Sequence, residues 1–289
     1  MEKPFVSVII RTIGRATLVR SVASAQAQSW RPLEIVVVRA GGEALPPLPS
    51  SPDVRVRIVE GGSLTRPQAA NAGLRAADGD WLIFLDDDDE YLPNHVETLV
   101  GTAMDSGGAL VAYSATACID RDGRIDGVIR EPFNRHRLFA SNYIQIGAAL
   151  FSRQLVVEGY RFDESFECLQ DWDFWIQLAH RTHFVFTGQV TNRWSLMSGG
   201  SGAGGPGNCD AQAMARFKGK LSQKWASWSA SIERKVEHHV QASRAAMAEG
   251  RAIQAKAHLD TAERVLRGPV QHAKPASHSG ATVTRGAGR

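Results

Sequence analysis

The sequence predicts an α/β fold, with a mixed, mostly parallel sheet flanked by helices and a C-terminal helical hairpin behind it. Three observations predict it. Short apolar, β-branched runs alternate with segments of helical spacing through the first half, as in parallel α/β sheets. Proline and glycine punctuate those runs. The last quarter changes character, to Ala, Lys, Arg, Gln and Glu in long helical periodicity.

Val6 to Ile10 is a buried strand, bounded by Pro4 and Gly14. Ala16 to Gln28 has helical spacing, with Leu18, Val22 and Ala25 on one face. Leu33 to Val38 is a second buried strand, entered through Pro32 and left through Gly41 and Gly42. Four prolines make LPPLPSSPD a loop. Val54 to Val59 is a third strand, Pro67 to Ala77 a helix, and Trp81 to Leu85 a fourth strand running straight into Asp86. A helix follows Asn94 to about Met104. Leu110 to Tyr113 and Gly147 to Phe151 read as strands, Asp171 to Ala179 as a helix, and His183 to Phe186 as a closing strand. Ser198 to Asn208 holds six glycines in eleven residues, so it packs no core and reads as a mobile loop. Ala211 to Leu266 is a helical hairpin broken at Gly250. The expected division is therefore an α/β domain over 1–210, a helical appendage over 211–267 and a disordered tail over 268–289.

Composition excludes several classes. The net charge of +3 comes from the tail; without it the body has 29 basic against 30 acidic residues, and a nucleic-acid binder needs a basic face. The N-terminal apolar run, VSVII, is too short for a signal peptide, and no stretch reaches the roughly 20 apolar residues of a membrane span. Any membrane contact is expected to be peripheral, and the location cytoplasmic. Cys118, Cys168 and Cys209 are widely spaced, without a CxxC. They suggest neither a disulfide scaffold nor a zinc site, and a reducing compartment fits them.

The chemistry concentrates at strand ends. Ligands of open α/β sheets bind beyond the carboxyl ends of the strands. Thr12 to Arg15, Arg39 to Gly42 and Asp86 to Glu90 all fall there. In WLIFLDDDDEYLPNH, four aspartates and a glutamate follow a buried strand. Like charges repel and burial penalises each, a cost that a divalent cation removes. Oxygen ligands suit Mg²⁺ or Mn²⁺, which take few protein ligands and the rest from substrate phosphates. The plainer reading is an acidic turn that caps the next helix through Asp89 or Glu90.

Four segments resemble family 2 glycosyltransferases: VSVIIRTIGR, LEIVVV with its small-residue turn, RPQAANAGLRAADGDWLIFLDDDD, and YRFDESFECLQDWDFWIQLA. The resemblance spans roughly Val6 to Ser198. It implies a GT-A fold and inverting transfer from a nucleoside diphosphate sugar to a saccharide or other hydroxyl acceptor. By position, Asp86 and Asp87 would meet the donor, Asp86 at its ribose, and Asp88 would bind the metal. Thr12 and Arg15 would line the nucleotide pocket, with Arg66 on the phosphates. Asp171 falls where the family places its general base, with Asp173 in reserve and a helix cap as the plainer role. Arg39 and Ala40 stand where the family has acids, Ala70 where it often has arginine, and Gln170 where an acid precedes the base. His183 reads as structural, and Trp194 as either a sugar platform or core.

Three alternatives stand beside this one. A nucleotidyltransferase would need a glycine- and lysine-rich loop after the first strand, where RTIGRAT offers one glycine. A dehalogenase-type phosphatase would need its aspartate near the first strand. A degenerate, non-catalytic homologue would fit the missing acids at Arg39 and Ala40.

Overall fold

The computed structural model describes residues 2–41, 43–196 and 209–269. Gly42, the whole of the glycine-rich loop expected at Ser198 to Asn208, and the tail after Pro269 lie outside the described residues.

Among the described residues one nine-stranded sheet organises the chain. Its first half is parallel. β1 (Val6–Thr12) lies between β2 (Leu33–Arg39) and β4 (Trp81–Asp86), and β3 (Arg55–Glu60) forms the outer edge beside β2. β1, β2 and β4 are nearly continuous apolar runs because helices cover both sheet faces. α1 (Leu18–Gln26) and α3 (His95–Asp105) pack on one face with Val8, Ile10, Ile83 and Leu85. α2 (Arg66–Ala76) and α6 (Gln170–Arg181) pack on the other with Ile9, Leu82 and Phe84. Strand alternation divides the two cores.

The other half is mixed. β8 (Ala149–Ser152) runs antiparallel to β4 and to β6 (Val111–Ile119), so β6 again points the same way as β4. β9 (Phe184–Ser195) pairs parallel with β6, and β5 (Glu90–Tyr91) pairs with β9 beyond it. The carboxyl ends of β1, β2, β4, β6 and β9 therefore share one rim.

Several elements exceed the sequence reading. β6 runs on to Ile119 and gains a partner in β7 (Ile125–Ile129). β9 continues nine residues past Phe186, through register shifts around Gly188, whose φ of 72° interrupts the alternation. Short helices α4 (Arg135–Ala140) and α5 (Arg153–Val157), and a 3-10 turn at Ile146–Ala148, complete the region. The first helix starts at Leu18, two residues later than its periodicity suggests. α3 is entered through Asn94 at its N-cap, so the capping role considered for Asp89 and Glu90 is not what they do.

The hairpin forms as expected: α7 (Ala211–Ala248) and α8 (Ala252–Arg267) turn at Gly250, which has φ 73°. α7 packs on the main body through Phe217 and Leu221, both in the α2/α6 core. The cysteine expectation is corrected. Cys168 and Cys209 form a disulfide with Cα atoms 6.2 Å apart, and Cys118 alone is a free, buried thiol. Forty-one residues separate the pair in sequence, so spacing gave no hint. Folding brings the turn before α6 against the start of α7.

Candidate functional site

Strand register builds the centre of the rim. Arg11 and Asp86 are partners across β1 and β4, and Arg11 Nη2 donates to Asp86 Oδ1 at 2.5 Å. Arg11 follows Ile9 on the α2/α6 face of the sheet, and Asp86 follows Phe84 there. The next residues turn to the other side. Thr12 Oγ1 donates to Asp87 Oδ2 at 2.6 Å and also accepts the Gly14 amide at 3.0 Å. Gly14, with φ 98°, gives the chain its sharp exit from β1. That exit returns Arg15 over the acidic run, where Nη1 lies 3.2 Å from Asp87 Oδ1 and 2.9 Å from Asp88 Oδ2.

Arg66 arrives from α2. Gln68 Oε1 accepts the Thr65 amide at 2.9 Å and fixes the helix start. Gly73 lets the helix lie close on the sheet, since a Cβ there would collide with Ile9. Burial pulls the Arg66 guanidinium below its usual pKa, against the charge of Asp86, while Arg11 and Arg15 add to the lowering and Asp171 opposes it. Arg11, Arg15, Arg66, Asp86 and Asp171 thus share one electrostatic neighbourhood.

Asp171 enters from the first turn of α6. Its carboxylate accepts from Asn142 Nδ2 at 3.0 Å and from the Trp172 amide. Leu169 holds the N-cap position, with φ 59° and ψ 23°, so Asp171 is not the N-cap residue, and its carboxylate reaches a first-turn amide as well as Asn142. Burial raises the Asp171 pKa, the two hydrogen bonds and Arg11 oppose that rise, and Asp86 adds to it. Asp173, the reserve candidate, is wholly buried against α7, away from the rim.

Electrostatics separates the carboxylates. Burial works to raise Asp86, but the charge and hydrogen bond of Arg11, with Arg66 and Arg15, hold it below the ordinary range. Asp87 is pushed up to about 6 by burial, against Thr12 and Arg15, with Asp88 and Asp86 adding to the rise. Asp89 lies deeper. Burial and the charges of Asp86 and Asp88 raise it well above the ordinary value, and one of its oxygens has no partner among the described residues. Its other oxygen accepts the Ser195 amide at 2.9 Å, tying the acidic run to the end of β9.

The donor set fits a hard divalent cation that is bound mainly through a ligand. Burial and mutual repulsion raise Asp87 and Asp89, and a cation beside Asp88 would relieve both. No group of three or more His, Cys, Asp or Glu among the described residues could hold one alone. An ion at Asp88 would therefore take further ligands from phosphates, as Mg²⁺ commonly does. A cavity of about 350 Å³ opens beside Asp88, lined in part by Arg20, Glu90, Asp120, Arg121 and Arg193. Asp171 does not line it.

Three sequence candidates lie elsewhere. His183 bonds the Pro269 carbonyl through its backbone amide at 3.1 Å, so it has a structural contact, as expected. Trp194 is half-buried on β9, opposite Cys118. Arg39 pairs with Glu60 across the ends of β2 and β3. Arg11 and Asn142 went unassigned in the sequence. Arg11 had a signal, as a lone cation inside an apolar strand. Asn142 had none, because its loop meets α6 only in three dimensions.

The comparisons bear on the family and the fold. Residues 7–156, just over half the chain, match the family described as Glycosyl transferase family 2. The chain belongs to that family. It is 35% identical over 125 residues to the succinoglycan biosynthesis protein ExoO of Rhizobium meliloti (strain 1021), covering 42% of this chain and 36% of that one. It is 28% identical over 188 residues to the uncharacterized glycosyltransferase YwdF of Bacillus subtilis (strain 168), covering 60% and 68%. The chain thus spans about a third of the length of the first relative and two thirds of the second. Crystal structures of S. aureus TarS share the fold. One has a TM-score of 0.51 at 16% identity, over 66% of this chain and 36% of that one. The structure of TarS 1-349 gives 0.50 at 16%, over 66% and 60%. The GT-A expectation holds, and family membership sets aside the nucleotidyltransferase and phosphatase alternatives. No helix of the described residues is long and apolar enough to cross a membrane.

Proposed function

We propose that the chain transfers a sugar, with inversion, from a nucleoside diphosphate sugar to an acceptor hydroxyl, with Asp171 as general base. One observation carries this reading: a partly buried carboxylate with a raised pKa shares its neighbourhood with three arginines and an acidic strand end. Inverting transfer is one in-line displacement. The acceptor oxygen bonds to the anomeric carbon as the bond to the donor's diphosphate breaks, and the acceptor's proton passes to Asp171. Burial raises the Asp171 pKa, and a more basic carboxylate is the better proton acceptor. Arg11, Arg15 and Arg66 are the cations placed to meet the charge that grows on the leaving diphosphate. Asp88 would hold a Mg²⁺ or Mn²⁺ together with the donor's phosphates, and such an ion would supply Lewis-acid stabilisation of the same charge. Thr12, Asp86 and Asp87 form the donor wall.

The name of the succinoglycan relative supports a role in polysaccharide biosynthesis, with a saccharide acceptor. The reading places the chain in the cytoplasm, with any membrane contact peripheral and no nucleic-acid partner. Disulfides persist mainly in oxidising surroundings, so in that compartment Cys168 and Cys209 would stand in contact as thiols. The non-catalytic reading rests on Arg39 and Ala40. The Arg39–Glu60 pair weakens it, because a carboxylate returns to that corner from β3. A panel of nucleoside diphosphate sugars, incubated with the chain and Mn²⁺, tests the function. Release of nucleoside diphosphate with an inverted product linkage is expected. Release with retained configuration, or tight donor binding without turnover under any acceptor, would overturn it.

A further inference from the structure

Asp173, Gln177 and His180 recur at helical spacing and form one stripe on α6. That stripe faces α7. Asp173 accepts from Trp225 Nε1 at 2.8 Å and pairs with Lys224 Nζ at 2.9 Å. Gln177 donates to Asp173 at 2.7 Å, and the His180 ring stacks on Trp228 with centroids 4.2 Å apart. Lys224 also holds Asp163 at 2.7 Å, while Lys220 donates to the Ser165 carbonyl at 2.7 Å. α7 therefore grips both the first turn of α6 and the loop that leads into it.

The loop needs that grip. Leu169 has φ 59°, a conformation that a non-glycine residue holds only when its surroundings impose it. On one side of it Cys168 meets Cys209 at the start of α7, with Cα atoms 6.2 Å apart, a contact that anchors the turn whether or not the two thiols are bonded. On the other, the Asp173 amide donates to the Leu169 carbonyl at 3.0 Å. Asp171 is two residues from Leu169 and two from Asp173. It projects about 200° around the helix from Asp173, toward Asn142 and the rim.

We infer that the segment of α7 around Lys224 and Trp225 serves the active site, and that Asp173, Lys224 and Trp225 are positioning residues which fix the Leu169 turn and so aim the Asp171 carboxylate. The inference rests on the base role proposed for Asp171. Displacing a reacting group by about 1 Å can cost on the order of 100-fold in rate. The clamp therefore acts on turnover, whereas the donor contacts at Arg11, Arg15 and Asp86 lie on other elements.

The test uses the full chain with Trp225→Phe, Lys224→Met, Lys224→Arg and, as a control, Glu233→Gln. Glu233 joins α7 to the main body through an exposed pair with His136 at 2.8 Å, far along the helix from Asp173. Trp225→Phe and Lys224→Met should lower kcat roughly 10- to 100-fold with donor KM within about twofold. Lys224→Arg should recover most of the loss, and Glu233→Gln should leave kcat alone. Backbone amides at 167–176 should exchange with solvent faster in the first two variants. Parental kcat in both, an equal loss in Glu233→Gln, or unchanged exchange would overturn the inference. A parental chain that transfers no sugar counts instead against the base role, and exchange at 167–176 then decides the clamp by itself.

Discussion

Arg11 and Asp86 stand directly opposite each other at the ends of two parallel strands and close a 2.5 Å ion pair at the centre of the rim. The Arg11 side chain is mostly buried, whereas Asp86 keeps about a third of its side-chain exposure. The pair therefore sits between a surface bridge and a buried one. Arg11→Met should destabilise the fold by about 1–3 kcal/mol, because a largely desolvated carboxylate loses its main partner. It should also weaken donor binding. Chemical denaturation and donor titration of the variant check both, and an unchanged midpoint with parental donor affinity would show that Arg66 compensates fully.

The acidic run predicts a metal-linked loss. Asp88→Asn should leave the fold intact, since it relieves like-charge repulsion beside Asp87 and Asp89. Donor binding in Mn²⁺ should fall, and chelator should silence the parental chain. A bound donor at 100 times its Kd stabilises the fold by about 2.7 kcal/mol. Thermal shift with donor and Mn²⁺ therefore reads the effect, and a parental shift in Asp88→Asn would remove the ligand role.

Much of this site was legible in the sequence, and the reason is local. The acidic run, Thr12, Arg15 and Arg66 lie at element ends that apolar runs mark clearly, and parallel topology gathers those ends. Arg11 could have been found by placing the first and fourth strands in register. The rest depends on tertiary proximity. Asn142 meets Asp171 across 29 residues, Cys168 meets Cys209 across 41, and Trp225 meets Asp173 across 52. None of those pairings leaves a periodic trace. β7 and the far end of β9 escaped because β7 is partly exposed and a bulge near Gly188 breaks the alternation of β9.

His95 gives the fold a pH dependence. Its ring is fully buried, near the Thr191 hydroxyl at 2.6 Å and the Gly147 carbonyl at 3.0 Å, and burial lowers its pKa to about 3. The folded state favours the neutral ring. Its contribution is complete above the unfolded value near 6.5 and is lost as pH falls from there toward 3. Within that window stability should drop by about 1.4 kcal/mol per pH unit from this group. Denaturation midpoints of the parent and of His95→Asn between pH 7 and 4 check it, and the same slope in both would contradict it.

The hairpin should not be removable. A chain ending at Asp210 strips Lys224 and Trp225 from Asp173 and so removes what holds the first turn of α6. It also uncovers the apolar surface that Phe217 and Leu221 protect. Poor solubility or a strongly lowered Tm is expected, whereas ending the chain after Pro269 should change neither. A soluble 210-residue chain with the parental Tm would show that the hairpin contributes nothing to the fold of the rest.

The central claim is that Asp171 takes the acceptor's proton, and turnover of Asp171→Asn measured beside its donor affinity tests it most directly. Asparagine keeps the shape and can still bond Asn142, but it cannot accept the proton at neutral pH. General-base loss typically costs roughly 10²–10⁴-fold in rate. The account predicts a fall of that size in kcat with donor affinity close to parental, because Arg11, Arg15, Asp86 and Asp88 are untouched. Near-parental turnover in Asp171→Asn would contradict it.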